Sequence, residues 1–71
     1  MDAQAAWNEM QAAHRVGDRE AVRELAHSLL DWLARGGFPP VTLADGTAPP
    51  DQHRKVAEEF CRRALRRTAE I

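Results

Sequence analysis

The fold is decided by residues 18–37, which read DREAVRELAHSLLDWLARGG. At about 100° per helical residue, the apolar side chains of this stretch cover half of the helical wheel. They are Ala21, Val22, Leu25, Ala26, Leu29, Leu30, Trp32 and Leu33. Asp18 precedes them as an N-cap residue, and Gly36-Gly37 ends the pattern because glycine adopts the left-handed C-terminal conformation at little cost. The stretch predicts an amphipathic helix over residues 18–35.

A second helix is predicted over residues 2–16, with Asp2 as its N-cap and Gly17 as its end. Its apolar residues recur at spacings of three and four and are rich in alanine, which would allow a neighbouring helix to approach closely. The stripe contains Ala3, Ala6, Trp7, Met10, Ala13 and His14. The short connection to the next helix predicts an antiparallel hairpin.

A third helix is predicted over residues 51–70, where apolar residues line one face and charged residues the other. The apolar face includes His53, Val56, Ala57, Phe60, Cys61, Ala64 and Leu65. Opposite charges four residues apart, such as Glu58 with Arg62 and Glu59 with Arg63, support a helix by about 0.2–0.5 kcal/mol per pair.

The loop over residues 36–50 contains four prolines and an Asp45-Gly46 turn signal, so it cannot continue either helix. We expect its apolar side chains, Phe38, Val41 and Leu43, to pin it onto the bundle. Fully extended, residues 37–50 would reach about 46 Å, whereas the second helix is only about 26 Å long. The third helix could therefore run parallel or antiparallel to the second.

The predicted fold class is all-α: a small three-helix bundle made of a helical hairpin and a third helix after a proline-rich loop. With 71 residues and a mass of 8.0 kDa, the chain is predicted to form one domain, over residues 1–71, close to the minimum size for independent folding.

A set of residues in the first half of the chain resembles a single tetratricopeptide-type helical hairpin. They are Ala6-Trp7, Gly17-Asp18, Ala21, Leu25, Leu29 and Pro39. That family has an early Trp, a Gly-Asp-type turn, small residues where the helices cross and a late proline. The resemblance covers about half of the chain and implies hairpin geometry and a protein-binding role. The Trp-to-turn and turn-to-Ala spacings are each one residue shorter than in the family, and only one copy is present.

Composition excludes several classes of protein. Ten Lys and Arg residues against eleven Asp and Glu residues give a net charge of −1, which argues against a general polyanion binder. One cysteine excludes an internal disulfide and a multi-cysteine zinc site. The sequence has neither a secretory signal nor an apolar run of about 18 residues that could span a membrane. We therefore expect a cytoplasmic protein that does not engage membranes.

Four arginines, Arg62, Arg63, Arg66 and Arg67, form the main charged cluster. Their guanidinium groups could contact phosphates, so one hypothesis is a small nucleic-acid-binding regulator that uses this face. The competing interpretation is a solvated helix face, because residues 51–71 hold six basic and four acidic residues. No exposed aromatic side chain is interleaved as a stacking platform. Nucleic acid is therefore the less favoured partner.

No constellation indicates catalysis, a cofactor or a metal. His14, His27, His53 and Cys61 lack the spacing of three or four residues that places two ligands on one helical turn. Cys61 lies on an apolar face, where cysteine usually packs as a small hydrophobe. No glycine-rich phosphate-binding motif occurs. We predict a non-enzymatic protein without a cofactor, a catalytic residue or a small-molecule substrate.

The apolar faces give the favoured hypothesis, a protein–protein interaction module or a self-associating homodimer. If the loop leaves part of the bundle uncovered, Leu30, Trp32, Phe38 and Phe60 are the candidate interface residues, since exposed apolar patches mark interfaces and Trp is enriched at binding hot spots. The alternative is that Trp7 and Trp32 meet in the core of the hairpin.

Overall fold

The computed structural model describes residues 1–42 and 47–69, together with their side chains except at 68 and 69. These residues form three helices, α1 (Ala3–Val16), α2 (Arg19–Ala34) and α3 (Pro50–Ala69), and no strand. The predicted all-α three-helix bundle is confirmed. The expectations for Leu43, the turn at residues 45–46 and the helix end at residue 70 lie outside the described residues.

The ends of α1 and α2 are fixed by the residues that the sequence marks as caps. The carboxylates of Asp2 and Asp18 accept hydrogen bonds from the amides of Ala5 at 3.1 Å and Ala21 at 3.2 Å. Gly17 and Gly36 end the two helices with positive φ angles of 77° and 85°, a conformation that favours glycine.

Both C-terminal ends form the same hydrogen-bond pattern. After α1, the amide of Asp18 donates to the carbonyl of Ala13 at 2.9 Å, and after α2 the amide of Gly37 donates to the carbonyl of Trp32 at 3.0 Å. These six-residue closures are Schellman motifs, which satisfy carbonyls that a helix end otherwise leaves unpaired. The sharp turn at residues 17–18 brings α2 back along α1 as the predicted hairpin.

Helix α3 runs antiparallel to α2, which resolves the choice that the sequence leaves open. Arg54, near the start of α3, bonds the carbonyl of Leu33 at the end of α2. Ten residues later, Ala64 faces Val22 and the start of α2 across an open cavity. Helix α2 packs against both other helices and is the central element of the bundle.

The core lies between the three helices and is built from small and medium side chains. Its buried members are Ala6, Trp7 and Met10 from α1, Val22, Ala26, Leu29 and Leu33 from α2, and Ala57, Cys61 and Ala64 from α3. Alanine contributes four of these ten positions, so the helices approach closely. Trp7 and Phe60 join α1 to α3 through an edge-to-face contact with ring centroids 5.3 Å apart.

The expectation that apolar side chains pin the loop onto the bundle is wrong for Phe38 and Val41. Phe38 is 82% exposed and Val41 is 48% exposed. Pro40 is buried instead, and polar side chains from all three helices hold the loop backbone. Burial of a proline and hydrogen bonds to backbone groups thus replace the expected hydrophobic contact.

Candidate protein-docking site

Residues 37–42, named here the docking segment, leave the end of α2 and lie against the ends of the helices. The segment begins at Gly37, which packs directly on the indole of Trp32. A Cβ atom at residue 37 would lie 2.2 Å from Cε2 of Trp32, so this position requires glycine for the close approach. The indole Nε1–H donates to the carbonyl of Phe38 at 2.9 Å, which fixes the first turn of the segment.

Arg54 joins the docking segment to α2 and α3. Its guanidinium donates to the carbonyl of Leu33 at 2.8 Å and to the carbonyl of Gly37 at 3.1 Å. The side chain is half-buried, and hydrogen bonds from a charged donor are among the stronger ones in proteins. One arginine therefore holds both the last turn of α2 and the first residue of the segment.

The far end of the docking segment is held by Gln4 of α1 and His53 of α3. The Val41 amide donates to Oε1 of Gln4 at 2.7 Å, and Nε2 of Gln4 donates back to the Val41 carbonyl at 3.3 Å. The Thr42 amide donates to Nδ1 of His53 at 3.1 Å. The two contacts fix adjacent peptide groups from two different helices.

His53 is 5% exposed, which agrees with its predicted position on the apolar face of the third helix. The Thr42 hydroxyl also lies 3.1 Å from the same Nδ1, so both the amide and the side chain of Thr42 meet this nitrogen. The buried Nε2 forms no hydrogen bond. His53 therefore acts as a hydrogen-bond acceptor for the docking segment.

The docking segment presents two apolar side chains to solvent and buries the prolines between them. Phe38 and Val41 are exposed, Pro39 is half-buried and Pro40 is buried. Proline restricts φ, and each residue that precedes a proline is restricted as well. Phe38 thus projects from a backbone whose conformation is limited covalently and by hydrogen bonds.

The other predicted interface residues are partly buried rather than exposed. Leu30, Trp32 and Phe60 are partly buried and pack against the core, so they do not form one exposed patch with Phe38. Trp32 contacts Gly37 and the Phe38 carbonyl, whereas Phe60 pairs with Trp7 and, at 5.4 Å, with His14. Trp7 and Trp32 take different aromatic and hydrogen-bond partners.

The arginines of the predicted cluster do not all line the same surface. Arg63 and Arg67 line an open cavity between α3 and the turn at residues 17–19. Arg62 is not among the residues that line it and forms an ion pair with Glu58 at 3.2 Å, while Arg63 pairs with Glu59 at 3.1 Å. Both ion pairs link residues four positions apart on α3, as the sequence predicts.

Cys61 is fully buried and packs as the predicted small hydrophobe. Burial raises the pKa of its thiol from 9.0 to about 11, with Arg62 lowering it and Glu58 raising it to smaller extents. The thiol is therefore protonated near neutral pH, which disfavours nucleophilic chemistry. Within residues 1–42 and 47–69, no three side chains of His, Cys, Asp or Glu are grouped to hold a metal ion.

Sequence reasoning missed the roles of Gln4 and Arg54, although the spacing contains a signal. Arg54 lies three, seven and ten residues before Ala57, Cys61 and Ala64, on the buried stripe of α3. A polar residue on such a stripe needs a hydrogen-bond partner when it is buried. Gln4 likewise precedes Trp7 by three residues. Which backbone groups they meet depends on the path of the loop.

None of the helices in the described part of the chain has an apolar stretch long enough to cross a bilayer. Comparison of the chain with protein-family models, curated proteins and solved structures gives no significant match. The tetratricopeptide resemblance thus rests on the sequence residues alone.

Proposed function

We propose that this protein is a non-enzymatic, cytoplasmic protein–protein interaction module that docks on its partner through Phe38 and Val41. The observation that carries the proposal is a large aromatic side chain, 82% exposed, on a backbone held by Gln4, Trp32 and Arg54. A single exposed apolar residue is ordinary on a protein surface. An exposed aromatic residue on a segment whose backbone is hydrogen-bonded by side chains from three helices is preorganised.

Preorganisation favours binding because less conformational entropy is lost when the complex forms. Immobilising one rotamer-rich side chain or loop residue at an interface costs about 0.5–1.5 kcal/mol. In the docking segment, the peptide groups of Gly37, Phe38, Val41 and Thr42 are already ordered by hydrogen bonds. The exposed side chains of Phe38 and Val41 remain to be ordered by a partner.

The proposed partner is a different protein with an apolar pocket that accepts the Phe38 ring. A second copy of this chain is less favoured because of shape. An aromatic side chain carries about 150–250 Å² of surface, so Phe38 and Val41 together supply roughly a third of the ~800 Å² that each partner buries in a stable interface. A partner with a pocket can enclose the ring and add contacts around the segment, whereas two copies that met through the docking segment alone would each offer only these two projecting side chains.

Site-specific crosslinking identifies the partner with an internal control. A photoreactive phenylalanine is placed at residue 38 or, as the control, at Val16, which is 80% exposed on α1 and distant from the docking segment in sequence. We expect a protein that crosslinks in cells from residue 38 and not from residue 16. The same crosslinked species from both positions would contradict docking through Phe38.

Affinity measurements with the purified partner then test the energetic role of the ring. We expect Phe38→Ala to weaken binding about 30-fold or more, the effect of losing a hot-spot side chain worth 2 kcal/mol, and Val16→Ala to change it less than about twofold. Equal affinities of wild type and Phe38→Ala would overturn the proposal. Circular dichroism verifies that both variants retain their helices.

A further inference from the structure

We propose that the open cavity at the opposite end of the bundle binds a phosphate ester through Arg19, Arg63 and Arg67. This cavity, named here the basic groove, has a volume of about 670 Å³ and lies between the α1–α2 turn and the second half of α3. Sites for small ligands span about 300–1,000 Å³, so the groove has room for a phosphate and an attached organic group.

The groove brings together positive charges that are distant in sequence. Arg19 lies 44 residues before Arg63 and 48 before Arg67, and all three line the same cavity. Arg19 and Arg67 form no ion pair with a residue in the described ranges, and the Arg63–Glu59 pair is more than 60% exposed on both side chains. Such an exposed pair contributes little energy, so Arg63 can exchange Glu59 for a ligand.

Asp18 is the acidic residue that lines the groove. Its carboxylate accepts the Ala21 amide as the N-cap of α2, so part of its hydrogen-bonding capacity and its charge are committed to the helix terminus. Three guanidinium groups, set against Asp18 in the lining and Glu59 paired with Arg63, leave the groove with one net positive charge, although the whole chain has a net charge of −1.

The number and placement of the cations favour phosphate over a carboxylate. Planar guanidinium groups form paired hydrogen bonds to oxyanions. One or two guanidinium groups satisfy the two oxygens of a carboxylate. Three arginines from two helices can instead approach the several oxygens of a tetrahedral phosphate from different directions. His14 adds a polar side chain to the same wall.

The remaining lining of the groove suits the organic part of a phosphate ester. Val22, Phe60 and Ala64 supply apolar surface, and the Phe60 ring is held edge-to-face by Trp7 and His14. An ordered aromatic ring beside arginines can contact the sugar or base of a nucleotide. Either a free nucleotide or a nucleic-acid strand would present this chemistry.

Helix α3 offers a matched control because Arg62 and Arg66 are not among the residues that line the groove. The test compares Arg63→Gln/Arg67→Gln with Arg62→Gln/Arg66→Gln, which remove the same charge from the same helix. The probes are ADP, inorganic phosphate and a short thymidine oligonucleotide, titrated calorimetrically at about 20 mM salt, where electrostatic binding is strong.

We expect at least one probe to bind wild type and to bind Arg63→Gln/Arg67→Gln tenfold or more weakly, about the effect of losing one charge-assisted hydrogen bond. The Arg62→Gln/Arg66→Gln control should stay within about threefold of wild type. ADP binding would identify a nucleotide site, and binding of the oligonucleotide alone would identify a strand site. Equal losses in the two variants, or no binding of any probe at millimolar concentration, would overturn the proposal.

A measurement on wild type alone keeps the test independent of variant folding. Addition of the bound probe should shift the ring proton resonances of His14 and Phe60 and leave those of Phe38 unchanged. Shifts confined to Phe38, or absent from both groove rings, would contradict the assignment. Because Phe38→Ala leaves the groove intact, that variant should bind the probe as wild type does even if the docking proposal fails.

Discussion

At the residue scale, the buried face of α3 carries both apolar and polar side chains, and each type has a separate role. Cys61 is a free cysteine buried in the hydrophobic core. Arg54, two turns earlier on the same stripe, instead reaches the carbonyls of Leu33 and Gly37. Since carbonyls at a helix end need partners, the arginine is as well suited to its position as the cysteine.

The raised pKa of Cys61 predicts a loss of stability at high pH. A group whose pKa is higher in the folded state favours folding while it is protonated, so its contribution is complete below pH 9.0 and declines as the pH rises toward 11. The shift corresponds to roughly 2–3 kcal/mol. We expect the free energy of unfolding, measured in urea, to fall by about this amount between pH 9 and 11.

The control for this prediction is Cys61→Ala, which has no titrating thiol and retains a small apolar side chain. All other ionisable groups are the same in both proteins. The difference in unfolding free energy between wild type and the variant should therefore be constant below pH 9 and decrease above it. Parallel pH profiles over the whole range would refute a raised pKa.

At the element scale, the helices were predictable from the sequence because their signals are local. Asp2, Asp18, Gly17 and Gly36 mark the ends of α1 and α2, and each acts within a few residues of its own position. Apolar spacing then decides which face is buried, and the predicted faces contain the observed core. Local patterns of this kind need no knowledge of the other elements.

The docking segment and the direction of α3 were not predictable from the sequence, since both depend on contacts between distant residues. Gln4 and Val41 are 37 positions apart, and Arg54 and Leu33 are 21 apart. The hydrophobicity of Phe38 and Val41 suggested that their side chains would be buried. In the structure Pro40 is buried instead, and polar contacts hold the backbone while Phe38 and Val41 stay exposed. The basic groove was not predictable from the sequence either, because Arg19 belongs to a different helix from the predicted arginine cluster.

The Arg54 contacts predict that one substitution affects both α2 and the docking segment. Arg54→Met removes two charge-assisted hydrogen bonds while it retains an unbranched side chain. We expect it to lower the free energy of unfolding by about 1–3 kcal/mol and to accelerate hydrogen exchange at the Gly36 and Gly37 amides, which belong to the turn that Arg54 holds. Urea denaturation and exchange followed by nuclear magnetic resonance measure the two effects.

Arg35 provides a matched arginine near the same end of α2. Its ion pair with Asp31 is exposed, with 72% of the Arg35 side chain accessible, and exposed pairs contribute about 0–1 kcal/mol. Arg35→Met should therefore leave both stability and exchange nearly unchanged. If Arg54→Met is no more destabilising than Arg35→Met, Arg54 does not hold the segment.

At the scale of the whole molecule, the two proposed sites lie at opposite ends of α2. The basic groove involves its first turn, at Arg19 and Val22, and the docking segment follows its last residue. Sixteen helical residues separate the two by about 24 Å, within a molecule whose longest extent is 36 Å. Mutations this far apart with no shared partners usually have additive effects, so we expect a partner on Phe38 to leave the groove open.

This arrangement predicts a monomer in solution. Among the described residues, the large exposed apolar side chains are Met1, Val16, Phe38 and Val41. Phe38 and Val41 belong to one segment, and their area is well below what a stable symmetric dimer buries. Sedimentation equilibrium at about 50 µM should therefore give the monomer mass of 8.0 kDa for both wild type and Phe38→Ala. A wild-type dimer that Phe38→Ala converts to a monomer would contradict this prediction and identify a second copy of the chain as the occupant of the docking segment.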